Sequence, residues 1–69
     1  MMQTSARNQL SGTITSVQLG AVMAEVTVEV SGVPVVAAIT KGSAERLGLA
    51  EGKSVSAIIK ATDVMIGIE

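Results

Sequence analysis

Cysteine, histidine and every aromatic residue are missing from this 69-residue chain, and each absence removes a class of chemistry. Without cysteine there is no disulfide route to stability, and without cysteine or histidine the usual zinc sites are closed. The lack of thiols is compatible with a reducing compartment. Without histidine no Ser or Thr has its ordinary general base, and no Ser-x-x-Lys motif offers lysine instead, so an enzyme is not expected. Without Phe, Tyr or Trp there is no stacking platform for bases, and a formal charge of −1 leaves no surface for a polyanion. The basic residues Arg7, Lys41, Arg46, Lys53 and Lys60 are scattered rather than clustered. Nucleic acid is therefore not an expected partner. No run is long enough to span a membrane, and Met1-Met2-Gln3 opens nothing like a signal peptide. The expected setting is the cytoplasm, without a membrane partner.

What the chain does have is apolar surface. Hydrophobic residues make up 48% of it and charged ones 16%, which is more than so small a body can hide from water. With disulfides and zinc closed, subunit association is the remaining means of support, most simply a closed homo-oligomer.

Short β-rich segments follow one another along the sequence. Leu10 to Val17 alternates imperfectly, and Gly12 within it marks a bend or a close backbone approach. Leu19-Gly20-Ala21 reads as a turn. Val22, Ala24, Val26, Val28 and Val30 then take one face of a strand, with Met23, Glu25, Thr27 and Glu29 on the other. Ser31-Gly32 reads as a hairpin turn, and Val33 to Thr40 returns as a third strand with Pro34 near its start. Ser43 to Gly48 predicts a single helical turn stopped by Gly48. After a turn at Glu51-Gly52-Lys53, Ser54 to Lys60 gives a fourth strand. Ala61-Thr62-Asp63 breaks it, and Val64 to Ile68 gives a fifth. The expected fold is all-β: a small five-stranded antiparallel barrel of the oligonucleotide/oligosaccharide-binding type with one short helical turn. Closure into a barrel would also hide the edges of such Val-rich strands.

Few residues remain to carry chemistry. Glu25, Glu29, Glu45 and Glu51 read as solvated surface charges. Thr40 and Ser43 bracket Lys41-Gly42 ahead of the helical turn, and two readings stand side by side. Their hydroxyls could join helix-terminal amides in binding an anion, or Ser43 is an N-cap and Thr40 merely closes the strand. Lys60 closes the apolar run Ala57-Ile58-Ile59, an ordinary position for a strand-end charge. The polar hexapeptide Thr4-Ser5-Ala6-Arg7-Asn8-Gln9 offers a hydroxyl and a guanidinium two residues apart. As a set, Ser5, Arg7, Thr40, Ser43 and Lys60 supply cations and hydroxyls suited to a dianionic tetrahedral oxyanion, provided a fold or a subunit interface brings them together.

Thr4-Ser5-Ala6-Arg7-Asn8-Gln9, together with Ala38-Ile39-Thr40, Ala44-Glu45-Arg46-Leu47-Gly48-Leu49, Glu51-Gly52-Lys53 and Ile59-Lys60-Ala61-Thr62-Asp63-Val64-Met65, resembles the molbindins. These are small molybdate-binding proteins made of one Mop domain, within the wider TOBE group. The likeness runs from about residue 4 to residue 67 and implies a single such domain over residues 1–69. It also implies a hexamer built as a trimer of dimers, with strands exchanged inside each dimer. The implied ligand is molybdate, with tungstate as its close mimic, and no further cofactor. By the same resemblance the site falls on Ser5, Arg7, Thr40, Ser43, Lys60 and Ala61, the last through its backbone N–H. Ser5 and Arg7 are expected from one protomer and the others from its partner. Gly20, Ala21 and Val22 are the candidates for lending amides to a second anion site on the three-fold axis. The implied role is storage or homeostasis of the oxyanion. The rival expectation is an oligomerisation module without a ligand, whose hydroxyls and cations serve only as caps and surface charge.

Overall fold

The computed structural model describes residues 3–69, so that Met1 and Met2 of the opening tripeptide lie outside the described residues. Four strands form one antiparallel sheet: β1 Asn8–Leu19, β2 Met23–Val30, β3 Val33–Thr40 and β4 Ser54–Ile59. They lie in the order β3-β2-β1-β4. A helix, α1, spans Lys41–Arg46 between β3 and β4, and a 3₁₀ turn covers Ala61–Asp63. No helix among the described residues is long and apolar enough to cross a membrane.

The clean alternation of β2 has its expected consequence. Ala24, Val26 and Val28 are buried, while Glu25 and Glu29 on the opposite face stay in water. Ser31 and Gly32 turn the chain with φ values of 50° and 83°, the mirror-image turn that matches strand twist. Pro34 falls on β3, an edge strand, where its missing amide leaves no ladder bond unmade.

β1 is longer than its hydrophobic pattern suggests, and it serves two partners. Its first half pairs with β4, from Asn8↔Ile59 to Thr13↔Ser54. Its second half pairs with β2, from Thr13↔Glu29 to Leu19↔Ala24. The register slips between Ile14 and Ser16, so Thr15 is the extra residue of a β-bulge. That bulge explains the imperfect alternation: Ile14 faces the core opposite Val28, and the next inward residue is Val17, opposite Val26. Gly12 lies beside the bulge, and a Cβ there would collide with the Glu29 carbonyl and lie 2.7 Å from Val28 Cγ1. The close approach predicted at Gly12 is present, and with the bulge it curls the sheet.

Curling brings Ile14, Val26 and Val28 together as the buried core, with Val17, Val30, Ile39, Leu49 and Val55 packed around them. The curl stops short of closure. An open groove of about 590 Å³ remains on the concave face, lined mainly by Ile14, Val26, Ala37, Ile39, Val55 and Ile58.

Two expectations are corrected here. The helix begins at Lys41 rather than Ser43, with Thr40 as its N-cap. Its end is as predicted: Gly48 takes φ 63°, its N–H donates to Glu45 O at 3.1 Å, and Leu49 N–H donates to Ala44 O at 3.1 Å. This is a Schellman stop, which favours glycine at the left-handed position. The fifth strand is absent from the described residues, so the chain by itself is an open four-stranded sheet and not a five-stranded barrel. The reason is local. Asp63 N–H bonds back to Lys60 O at 2.9 Å, which turns the chain away from β4. Val64–Ile68 then finds no ladder partner, and Met65, Ile66 and Ile68 are 92%, 87% and 94% exposed.

Candidate functional site

The register of β1 on β4 decides where the cations go. Arg7 directly precedes and Lys60 directly follows the last ladder pair, Asn8↔Ile59. Both side chains are exposed, and neither donates a hydrogen bond to another described residue. Two exposed cations therefore flank the end of the β1–β4 ladder.

Ser5 lies two residues before Arg7, in a turn where Thr4 Oγ1 accepts the Ala6 N–H at 3.2 Å. Asn8 Nδ2 donates to Ile59 O at 3.3 Å, and Gln9 Nε2 donates to Ala6 O at 3.1 Å. These side-chain bonds tie the opening hexapeptide to itself and to β4. Beyond Lys60, the Ala61 N–H opens the 3₁₀ turn and meets no acceptor among the described residues. One end of β1 therefore gathers the Ser5 hydroxyl, the Arg7 guanidinium, the Lys60 ammonium and the Ala61 amide.

Thr40 and Ser43 lie at the other end. Thr40 pairs with Met23 at the start of β2, whose next residue, Ala24, pairs with Leu19 at the end of β1. Thr40 Oγ1 accepts the Ser43 N–H at 3.0 Å and donates to Ser43 Oγ at 2.8 Å. The cap is thus Thr40, and Ser43 sits three residues inside it. Thr40 uses its proton on Ser43, which leaves the Ser43 hydroxyl proton free to point outward. Lys41 N–H donates to Val22 O at 2.7 Å, fastening the helix start to the β1–β2 turn.

That turn holds the second candidate set. Gly20 N–H is already donated to Met23 O at 2.7 Å, so Gly20 has no amide to lend, which corrects that part of the expectation. The Ala21 and Val22 N–H groups meet no acceptor among the described residues.

The twelve residues of β1 separate the two groups, at about 3.3 Å of rise each, a span comparable with the 35 Å long dimension of the molecule. The two groups thus lie at opposite ends of β1: within the single chain Lys60 and Ala61 lie at the same end as Ser5 and Arg7, and Thr40 and Ser43 at the other. Two residues that the sequence did not single out help to hold these halves. Asn8 is one. The other is Lys53, whose Nζ donates to Leu47 O at 2.7 Å and to Gly48 O at 3.2 Å at the C-terminal end of α1. Only the strand register and the helix stop disclose these roles. Among the described residues no group of His, Cys, Asp and Glu could hold a metal cation.

Comparison with known proteins adds a consistent set of likenesses. A family model described as the TOBE domain matches residues 4–66. Molybdenum-pterin-binding protein 3 of Clostridium pasteurianum is 48% identical over 66 residues, covering 94% of this chain and 97% of its own. The structure of a molybdate-binding protein from Sporomusa ovata superposes with a TM-score of 0.93 at 37% identity, over 97% of this chain and all of the other. The cytoplasmic molybdate-binding protein ModG, in a form with molybdate bound, matches with a TM-score of 0.92 at 42% identity, over 99% of this chain and 49% of its own. These relatives are named for binding, not for catalysis.

Proposed function

The chain belongs to the TOBE-domain family, in its single-domain molbindin branch, and on that premise we propose that it binds molybdate, or the isostructural tungstate, at sites completed between subunits. The observation that carries this reading is the separation of the donors to opposite ends of β1. Ser5, Arg7, Lys60 and Ala61 of one protomer meet Thr40 and Ser43 of its partner. Two cations answer the charge of the dianion, and hydroxyl and amide protons answer its oxygens. The anion is held by hydrogen bonds and charge, with no covalent link to the protein. Selection against sulfate follows from size, since the shorter oxyanion reaches the same donors less well.

The assembly that closes such sites is a hexamer, a trimer of dimers, in which residues 1–69 act as one Mop domain. Within each dimer the exposed apolar segment Val64–Ile68 exchanges into the partner and supplies the fifth strand of its barrel. The open apolar groove and the unpaired apolar segment support this, because each removes the other from water. Ala21 and Val22 offer the amides of a second anion site at the turn. The absence of any aromatic residue favours the bare oxyanion over a pterin as the ligand, since there is no ring to stack on the heterocycle. The role is cytoplasmic storage or buffering of the oxyanion.

Titration calorimetry with molybdate on the wild type and on Arg7→Ala tests this directly. Truncating one member of a buried charge-assisted contact costs about 2–5 kcal/mol, so affinity should fall about thirtyfold or more. An unchanged affinity removes Arg7 from the site. The second reading, an oligomerisation module without a ligand, draws on the Thr40–Ser43 bonds, which already satisfy the helix start internally. Native mass spectrometry separates the two: a hexamer that never gains the mass of an oxyanion supports the module.

A further inference from the structure

Arg7 and Lys60 flank the last ladder pair of β1 and β4, Asn8↔Ile59, the one directly preceding Asn8 and the other directly following Ile59. Beyond Asn8↔Ile59 no ladder pair holds the two strand ends together, and each end carries an exposed cation. Strand ends fray readily. One contact opposes it. The Asn8 carboxamide, partly buried, donates from Nδ2 to Ile59 O at 3.3 Å. Asn8 directly follows Arg7, and Ile59 directly precedes Lys60. The bond therefore ties together the two backbones at the point from which both cations project. On the β4 side, Lys60 O is fixed in turn by the Asp63 N–H at 2.9 Å.

We propose that Asn8 is a positioning residue of the oxyanion site, whose side-chain bond to Ile59 O keeps Arg7 and Lys60 at the separation a small tetrahedral anion can bridge. This rests on the functional reading above, but it concerns a residue outside the proposed ligand set. Asn8 does not touch the anion. Its contribution is to hold the two cations convergent before the ligand arrives, so that binding does not have to supply the cost of gathering them. A loosened pair adapts to any small anion and favours none. Loss of the bond should therefore weaken discrimination as well as affinity.

The test compares Asn8→Ala with the wild-type assembly, titrating each with molybdate and with sulfate in the calorimeter, and recording the oligomer by native mass spectrometry. Asn8→Ala is expected to assemble normally, to bind molybdate about tenfold more weakly, and to lose much less affinity for sulfate, so that the ratio between the two anions narrows. Asn8→Asp, of the same shape but without the donor, should fall at least as far, because its carboxylate repels the Ile59 carbonyl that the amide binds. A purely structural role would lower both affinities by the same factor and leave their ratio intact; that result overturns the proposal, as does an unchanged molybdate affinity. If either variant fails to assemble, the Arg7 Nε–H resonance of the other, followed by NMR during molybdate addition, gives the same decision. A wild-type shift retained in the variant overturns the positioning role, and a shift reduced or broadened supports it. A wild type that binds no molybdate overturns the functional reading itself, and the role of Asn8 falls with it.

Discussion

Thr40 and Ser43 can be separated by substitution, because the structure gives Thr40 two duties and Ser43 one. Thr40 Oγ1 caps α1 by accepting the Ser43 N–H at 3.0 Å, and its own proton goes to Ser43 Oγ at 2.8 Å. Thr40→Val keeps the branched shape and strand preference but leaves the Ser43 N–H uncapped. Losing such a cap costs about 1 kcal/mol, which lowers the melting temperature of a domain this small by about 4–8 °C. The same substitution removes a hydroxyl from the anion site, and a hydrogen bond to a charged partner is worth about 1.5–3 kcal/mol, or about ten- to a hundredfold in affinity. Ser43→Ala removes only the second contribution, since the capping bond uses the Ser43 backbone amide and that amide remains. The expected pattern is thus asymmetric. Thr40→Val loses both melting temperature and molybdate affinity, Ser43→Ala loses affinity with little change in melting temperature, and Thr40→Ser retains both. Ligand-free thermal unfolding and calorimetric titration, run at one protein concentration, read the two quantities. If Ser43→Ala binds molybdate as the wild type does while Thr40→Val is merely less stable, the hydroxyls are helix caps only and do not belong to the site.

Gly12→Ala sets a collision with the Glu29 carbonyl and Val28 Cγ1 against the usual benefit of replacing glycine. Overpacking costs about 1–3 kcal/mol and the chain-entropy gain returns only about 0.4–1 kcal/mol. The melting temperature should therefore fall by several degrees, and a rise would show that β1 shifts freely at the bulge. Truncation after Asp63 removes four large apolar side chains, Val64, Met65, Ile66 and Ile68, that are all exposed in the single chain. Burying one such side chain in a partner is worth about 1.5–3 kcal/mol, so the truncated protein should dissociate at micromolar concentration in analytical ultracentrifugation. An unchanged sedimentation profile would remove the tail from the interface.

What the sequence made legible followed from alternation and from turn chemistry. β2 and β3, the Ser31-Gly32 hairpin and the Gly48 stop are all present near their predicted places because each depends on residues close in sequence. β1 was readable only in part, since the bulge at Thr15 shifts its inward face midway and breaks the period on which the reading relies. Its first residues, Asn8 and Gln9, are polar and carry no strand signal; pairing with β4 makes them a strand. Val64–Ile68 shows the opposite failure. Its composition suits a strand, but a strand also needs a neighbour with free backbone groups, and the turn at Lys60–Asp63 leads it away from the edge of β4. Ser5, Arg7, Thr40, Ser43, Lys60 and Ala61 could be singled out by their chemistry and by resemblance. Their division into two groups could not, because it depends on which end of β1 each neighbouring strand meets.

That division has a thermodynamic consequence. If the proposed site draws its halves from different protomers, it binds only the assembled form, and each bound anion then stabilises the assembly by an amount that grows with the logarithm of free ligand. The free chain bears the opposite burden: Arg7 and Lys60 are both exposed at one end of β1, and apolar groove and tail both face water. The features that make the single chain marginal are therefore those that make it responsive. Molybdate should raise the melting temperature of the assembly, and the increment should be largest at low protein concentration, where dissociation competes with binding. Substituting Lys60 by Met tests this argument from its other side. It removes one of the two exposed cations and with it a partner of the proposed anion, so the ligand-free protein should melt no lower than wild type while the increment from molybdate shrinks. A lower melting point without ligand would mean that Lys60 itself supports the fold, and the coupling argued from it would fail.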